Sequence, residues 1–417
     1  MGTQINHVQS PSIPMVDVHI DFDAGSRREP ATQAGLASAT AALLSKGVLA
    51  AEGQPALDEN ALGEAWADLG ASFVAHAGDD RFSVTLRSLS DPELLGAAVD
   101  LAARALAHPA FAPDVWQRQR QTWSAALKEG DTRPATVAQR AFDAAVYASH
   151  PYGQSATPAS LARIEVQHLR QFYDQHILPC RARVTVVGAI DKAQTERLVQ
   201  RLLGPLQHQR AAAGCPTLPA VPEVAALVQP STQWIPFDAA QAHILVGQPG
   251  VPRRHPDYFA LIVGNYILGG GGFVSRLTTE VRERRGLSYS VYSAFAPGLH
   301  AGAFTVSLQT RPDQAPQALQ VVRDVLRDYV AKGPTEAELQ AAKANLMGGF
   351  ALRIDSNRKL LDNVANMAWN DLPTDYLDTW TAQVERLSVA EVHRAIARVL
   401  DPERMATVVL GAGSGQP

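Results

Sequence analysis

The chain repeats itself, and the repeat limits what it can fold into. Phe82-Ser-Val-Thr-Leu86 returns as Phe304-Thr-Val-Ser-Leu308, each followed by a proline-led helix at Pro92 or Pro312. Pro179 through Val186-Val187-Gly188 returns as Pro402 through Val408, Val409 and Gly411. The offset stays near roughly 222 residues across about a hundred positions, as expected for two copies of one strand-and-helix unit.

Within the first copy, Val16, Val18, Ile20 and Phe22 alternate with polar residues in MVDVHIDF, a strand signature. Helices are expected over 31–47, Asn60–Leu69, Pro92–Ala107, Pro113–Glu129 and Ser160–His176, and a strand over Arg183–Gly188. The proline-rich stretch from Gly204 to Val228 reads as an extended linker. Beyond it the pattern restarts with a strand at Ala242–Gly247 and a helix at Asp257–Leu268. Strand runs in meander order with long helices predict an α+β fold of two homologous halves. Each half is expected to be an antiparallel sheet with helices on one face. The expected division is 1–203, linker 204–228 and 229–417.

Charge and composition narrow the function. A net charge of −4 with no basic stripe argues against nucleic acid as the main partner. An uncharged run of spanning length, Tyr258 to Ser275, holds Asn265 and a glycine block, so it reads as a buried helix ending in a loop. No membrane span is expected, and the chain is expected to be soluble, either cytoplasmic or periplasmic. The start shows no secretory signal, although a mature exported chain behind a new Met-Gly would look the same. Cys180 and Cys215 stand 35 apart without a CxxC pattern and by themselves make neither a disulfide framework nor a zinc site. None of the 12 histidines lies three or four residues from another, so no helix can present a two-histidine metal motif.

The segment Gly269 to Ser293, GGGGFVSRLTTEVRERRGLSYSVYS, carries the chemistry that is left. Gly269, Gly270, Gly271 and Gly272 leave bare main chain that another chain can approach closely. Ser275 suits an N-cap and Gly286 a left-handed helix end, and SYSVYSAF beyond it reads as a strand bearing Tyr289. Arg282 and Tyr289, seven residues apart, can then point into one cleft. The same two residues also fit a solvated helix face and a half-buried strand tyrosine.

Several motifs together resemble the pitrilysin (insulinase) superfamily of zinc peptidases, in its processing-peptidase-like branch. They are GS-x-x-EP from Gly25 to Pro30, GLA from Gly35 to Ala37, HPYG from His150, and LGGG…SRL…VRERRGLSYSVYS. In catalytic members GLA runs straight into HxxEH. Here Ser38 and Ala42 stand at the histidine positions, Ala41 at the glutamate base, and Ala126 at the distal glutamate ligand. The resemblance implies that no metal is held by this chain and that a homologous HxxEH-bearing partner supplies the zinc. It further implies that Arg282 and Tyr289 bind the substrate main chain and steady the tetrahedral intermediate on the partner's site. The glycine block, by the same resemblance, receives substrate. The expectation is a noncatalytic subunit of a heterodimeric zinc metallopeptidase acting on peptides or unfolded polypeptides. A catalytically silent scaffold subunit and a phosphorylated-ligand-binding protein are the alternatives.

Overall fold

The computed structural model describes residues 2–51, 53–211 and 214–411. Among the described residues, ten strands form two five-stranded sheets. The first holds β1 (Gln4–Gln9), β2 (Met15–Phe22), β3 (Ser72–Ala77), β4 (Phe82–Leu89) and β5 (Arg183–Gly188), in the order β1-β5-β2-β4-β3. The second holds β6 (Ser231–Ile235), β7 (Ala242–Pro249), β8 (Val291–Phe295), β9 (Ala303–Thr310) and β10 (Ala406–Leu410), in the order β6-β10-β7-β9-β8. The second order is the first shifted by one repeat, as the sequence predicts. Both sheets are mixed, because β1 pairs parallel to β5 and β6 parallel to β10 while the other pairs are antiparallel. The strand Gln4–Gln9 has only two apolar residues and no alternation to mark it, and the expected wholly antiparallel sheets lacked it.

The alternation in β2 works as expected on one face. Val16, Val18, Ile20 and Phe22 are buried with Phe82, Val84 and Leu86 of β4 against the Leu36–Leu44 helix and its neighbours. The opposite face is not solvated. Asp17 and Asp21 are buried there beneath the helix Asn357–Trp369, which packs on β2 and β5. Asp21 accepts hydrogen bonds from Ser83 Oγ (2.5 Å) and Arg81 (3.1 Å) and lies 2.9 Å from His19 Nε2; Asp17 is met by Arg87 at 3.1 Å. Burial works against charge on Asp21, but His19, Arg81 and Ser83 outweigh it and hold the carboxyl below its usual range. The second sheet is likewise covered on its far face, here by an apolar helix. Ala138, Phe142 and Val146 of Pro134–Tyr147 pack on Leu245, Val408 and Leu410. The expectation of helices on one face alone is therefore corrected for both sheets.

Those two covering helices are exchanged along the chain. The first compact unit ends at Leu127, resumes over Ser155–Val221 and takes in Leu352–Leu372; the second holds Lys128–Gln154, Pro222–Ala351 and the chain from Pro373 onward. The helix Lys192–Arg210 runs through Gly204 and Pro205, so the first residues read as linker are helical. Ala212 and Ala213 of that linker lie outside the described residues. Cys180 and Cys215 are bonded as a disulfide, with Cα atoms 6.1 Å apart. The turn Pro179–Arg181 carries one cysteine to the linker carrying the other, a juxtaposition that spacing alone does not reveal. Among the described residues no helix is long and apolar enough to cross a membrane.

Candidate functional site

The helix Leu36–Leu44, in the first unit, carries Ser38, Ala41 and Ala42, three of the four positions where the resemblance expects metal ligands or the base. Its start is fixed by the motif preceding it. Glu29 accepts hydrogen bonds from the main-chain N–H groups of Gly35 and Ala37, both at 2.8 Å, closing the exposed donors of the first turn. Gly35 sits at φ +102°, a conformation that favours glycine. Burial of Glu29 outweighs those N–H contacts and pushes its carboxyl up to about 7. On the helix, Ser38 and Ala42 are half-buried and one turn apart, while Ala41 is buried. Ala126 is exposed on the helix Pro113–Gly130 of the same unit. One hydroxyl and three methyl groups do not fit zinc, which takes thiolate, imidazole or carboxylate donors. Among the described residues no three His, Cys, Asp or Glu side chains are grouped to hold a metal ion.

The second unit builds a different site around the glycine block. The helix Tyr258–Asn265 continues into wide turns over Tyr266–Gly270, and then a tight turn at Gly272–Val274. Each glycine has its own reason to lack a side chain. A Cβ on Gly269 would lie 2.4 Å from Ser293 Oγ, one on Gly270 2.8 Å from Asn265 Nδ2, and one on Gly271 2.7 Å from the Tyr266 carbonyl. Gly272 faces open space but holds φ +61°. Ser275 caps the next segment as expected. Its main chain is extended, and its carbonyl accepts from Thr279 N at 2.9 Å. That segment, Thr278–Glu283, is wound wider than an α-helix, and it ends at Gly286 with φ +61°.

Arg282 and Tyr289 meet here. The strand begins only at Val291, so Tyr289 stands in the turn before it and not on the strand, a correction to the sequence reading. Ser288 Oγ donates to the Ser290 carbonyl (2.7 Å) and shapes that turn, leaving Tyr289 81% exposed. The Arg282 guanidinium carbon lies 4.8 Å from the Tyr289 ring centroid and 4.7 Å from that of Phe273. Arg282 thus contacts two aromatic rings, with Glu283 at 3.4 Å from its Nε. Gly269, Gly270, Gly272, Arg282, Tyr289 and Tyr292 help to line a shallow cavity of about 320 Å³. Gly271 is outside that lining. Among the described residues the lining carries one formal charge, that of Arg282. A lone cation beside phenolic and seryl hydroxyls suits a ligand that presents carbonyl or anionic oxygen. Phe273 escaped the sequence reading. An apolar residue directly after four glycines, outside any amphipathic pattern, was the signal available.

Known proteins resemble the chain over its whole length. The peptidase M16 inactive domain from Pseudomonas fluorescens is 30% identical, superimposes with a TM-score of 0.91, and covers 100% of this chain and 97% of its own. The chain belongs to the M16 peptidase family. The family model described as insulinase (peptidase family M16) matches residues 5–159, and the M16 inactive-domain model matches 163–346. An uncharacterised zinc protease of Mycobacterium leprae is 29% identical over 98% of this chain and 90% of its own length. A non-peptidase homolog of Helicobacter pylori is 24% identical over 94% of this chain and 89% of its own. The chain thus carries an inactive M16-family domain, and Ser38, Ala41, Ala42 and Ala126 offer no thiolate, imidazole or carboxylate.

Proposed function

We propose that this chain is the noncatalytic subunit of a two-subunit M16 zinc peptidase, working on peptides or unfolded polypeptides. A homologous partner with an intact HxxEH motif holds the metal, and Arg282 and Tyr289 act on the partner's site. The observation that carries this reading is the pairing of a half-buried Arg282 with an exposed Tyr289, in a chain that has serine and alanine where the resemblance puts the metal ligands. A preformed cation and phenol can donate to the oxygen on which charge builds during amide cleavage. One such donor typically contributes about 3–4 kcal/mol to lowering the barrier.

Substrate held as an extended strand fits a chain whose sheets have edges, since main-chain hydrogen bonds bind any sequence. The Cys180–Cys215 disulfide favours the periplasm over the cytoplasm, because disulfides persist in oxidising compartments. The test is reconstitution with an HxxEH-bearing homologue from the same genome and a quenched-fluorescent peptide. The expected result is a complex with turnover, lowered about 100-fold by R282A. No complex, or full turnover with R282A, overturns the reading.

A further inference from the structure

The glycine block ends on an exposed aromatic residue. Phe273 is 71% exposed, an uncommon position for a phenylalanine that buries little of its ring, yet it lies over the Arg282 guanidinium. We propose that Phe273 is a positioning residue that clamps Arg282 against Tyr289, and that the glycine block serves to set Phe273 in that place. This inference rests on the assignment of Arg282 to the partner's substrate.

Several independent features hold the main chain on either side of Phe273. Gly271 N–H donates to the Tyr266 carbonyl at 2.8 Å, and a Cβ there would collide with that carbonyl and with the Tyr266 ring. Gly272 takes the left-handed conformation that reverses the chain immediately before Phe273. Ser275 Oγ then donates to the Gly272 carbonyl at 2.8 Å and fixes the turn from the other side. The loop is therefore packed at three glycines and turned at the fourth.

The clamp has a physical purpose. An arginine on a surface samples many rotamers, and freezing it on a substrate costs conformational entropy. The nearest carboxylate, Glu283, is a sequence neighbour, half-exposed and 3.4 Å away, which gives weak control of direction. Contact with two rings restricts the guanidinium while leaving its terminal N–H groups able to donate. Cation–π contacts of this exposed kind contribute about 0.5–1 kcal/mol each.

The experiment uses the full chain with ¹⁵N-labelled arginine, the Arg282 Nε–Hε resonance being assigned by its loss in R282K. In the wild type that resonance is expected to be shifted upfield by the rings. F273L should remove most of the shift and F273Y should restore it, with thermal unfolding of all three alike because the residue is exposed. In the reconstituted peptidase, F273L should lower kcat about two- to five-fold with KM unchanged. It should cause no further loss in an R282A background. A resonance unmoved by F273L, a loss confined to KM, or an equal loss in the R282A background overturns the clamp. R282A with full turnover instead strikes the proposed function, while the resonance shift still tests the clamp.

Discussion

Asn265 and Ser293 exchange two hydrogen bonds across the margin of the second sheet. Asn265 Nδ2 donates to the Ser293 carbonyl at 3.0 Å, and Ser293 Oγ donates to Asn265 Oδ1 at 2.7 Å. Gly269 lies directly beside them, since a Cβ on it would meet Ser293 N at 2.6 Å. Helix, glycine block and β8 are thereby tied together at one point. Replacing Asn265 by alanine leaves two oxygens of a buried serine short of a partner. N265A is expected to destabilise the protein by about 1–3 kcal/mol, read as a lower denaturation midpoint in urea. N265D, which keeps the acceptor but loses the donor, should fall between N265A and wild type.

The phenolic hydroxyl and the ring of Tyr289 have separable roles. Y289F keeps the ring against Arg282 and removes the donor. If the hydroxyl acts on the substrate, kcat of the reconstituted peptidase should fall by at least about tenfold in Y289F, with Y289A lower still. Equality of Y289F and wild type would confine Tyr289 to stacking.

Glu29 makes stability depend on pH. Its carboxyl is raised from the ordinary 4.5 to about 7 by burial, so the folded chain binds a proton more readily than the unfolded one. Its contribution is complete below about 4.5, declines as pH rises, and is lost above about 7. The melting temperature of wild type should fall across that interval more steeply than that of E29Q. Parallel melting curves for the two would exclude Glu29 as the source.

The disulfide joins positions 35 apart in the first unit. Constraining a loop of that length in the unfolded chain is worth about 2–4 kcal/mol. The double variant C180S/C215S, and wild type in excess reductant, should lose comparable stability, as measured by chemical denaturation. Arg181, which donates to the Pro216 carbonyl at 3.0 Å, should keep the linker docked in part even then.

Metal content follows from donor chemistry. The purified chain, dialysed with zinc and then with buffer, should retain far below one equivalent by mass spectrometry, since Ser38, Ala41, Ala42 and Ala126 offer no thiolate, imidazole or carboxylate.

The sequence by itself determined the repeat, most strand positions and the lack of zinc-binding groups at Ser38, Ala41, Ala42 and Ala126, because each is written in local pattern or in side-chain type. The alternation of Val16, Val18, Ile20 and Phe22 names one buried face, and a methyl group at Ala42 cannot bind zinc in any fold. Tertiary structure decided what covers the other face. Asp17 and Asp21 lie beneath the distant Asn357–Trp369 helix, and alternation carries no record of a partner some hundreds of residues away. It also decided the Cys180–Cys215 bond, the placement of Tyr289 ahead of its strand, and the meeting of Phe273 with Arg282. Each of these depends on where a turn aims the chain, and a turn's direction is set by contacts at Ser293, Asn265 and Tyr266 that no neighbouring residue specifies.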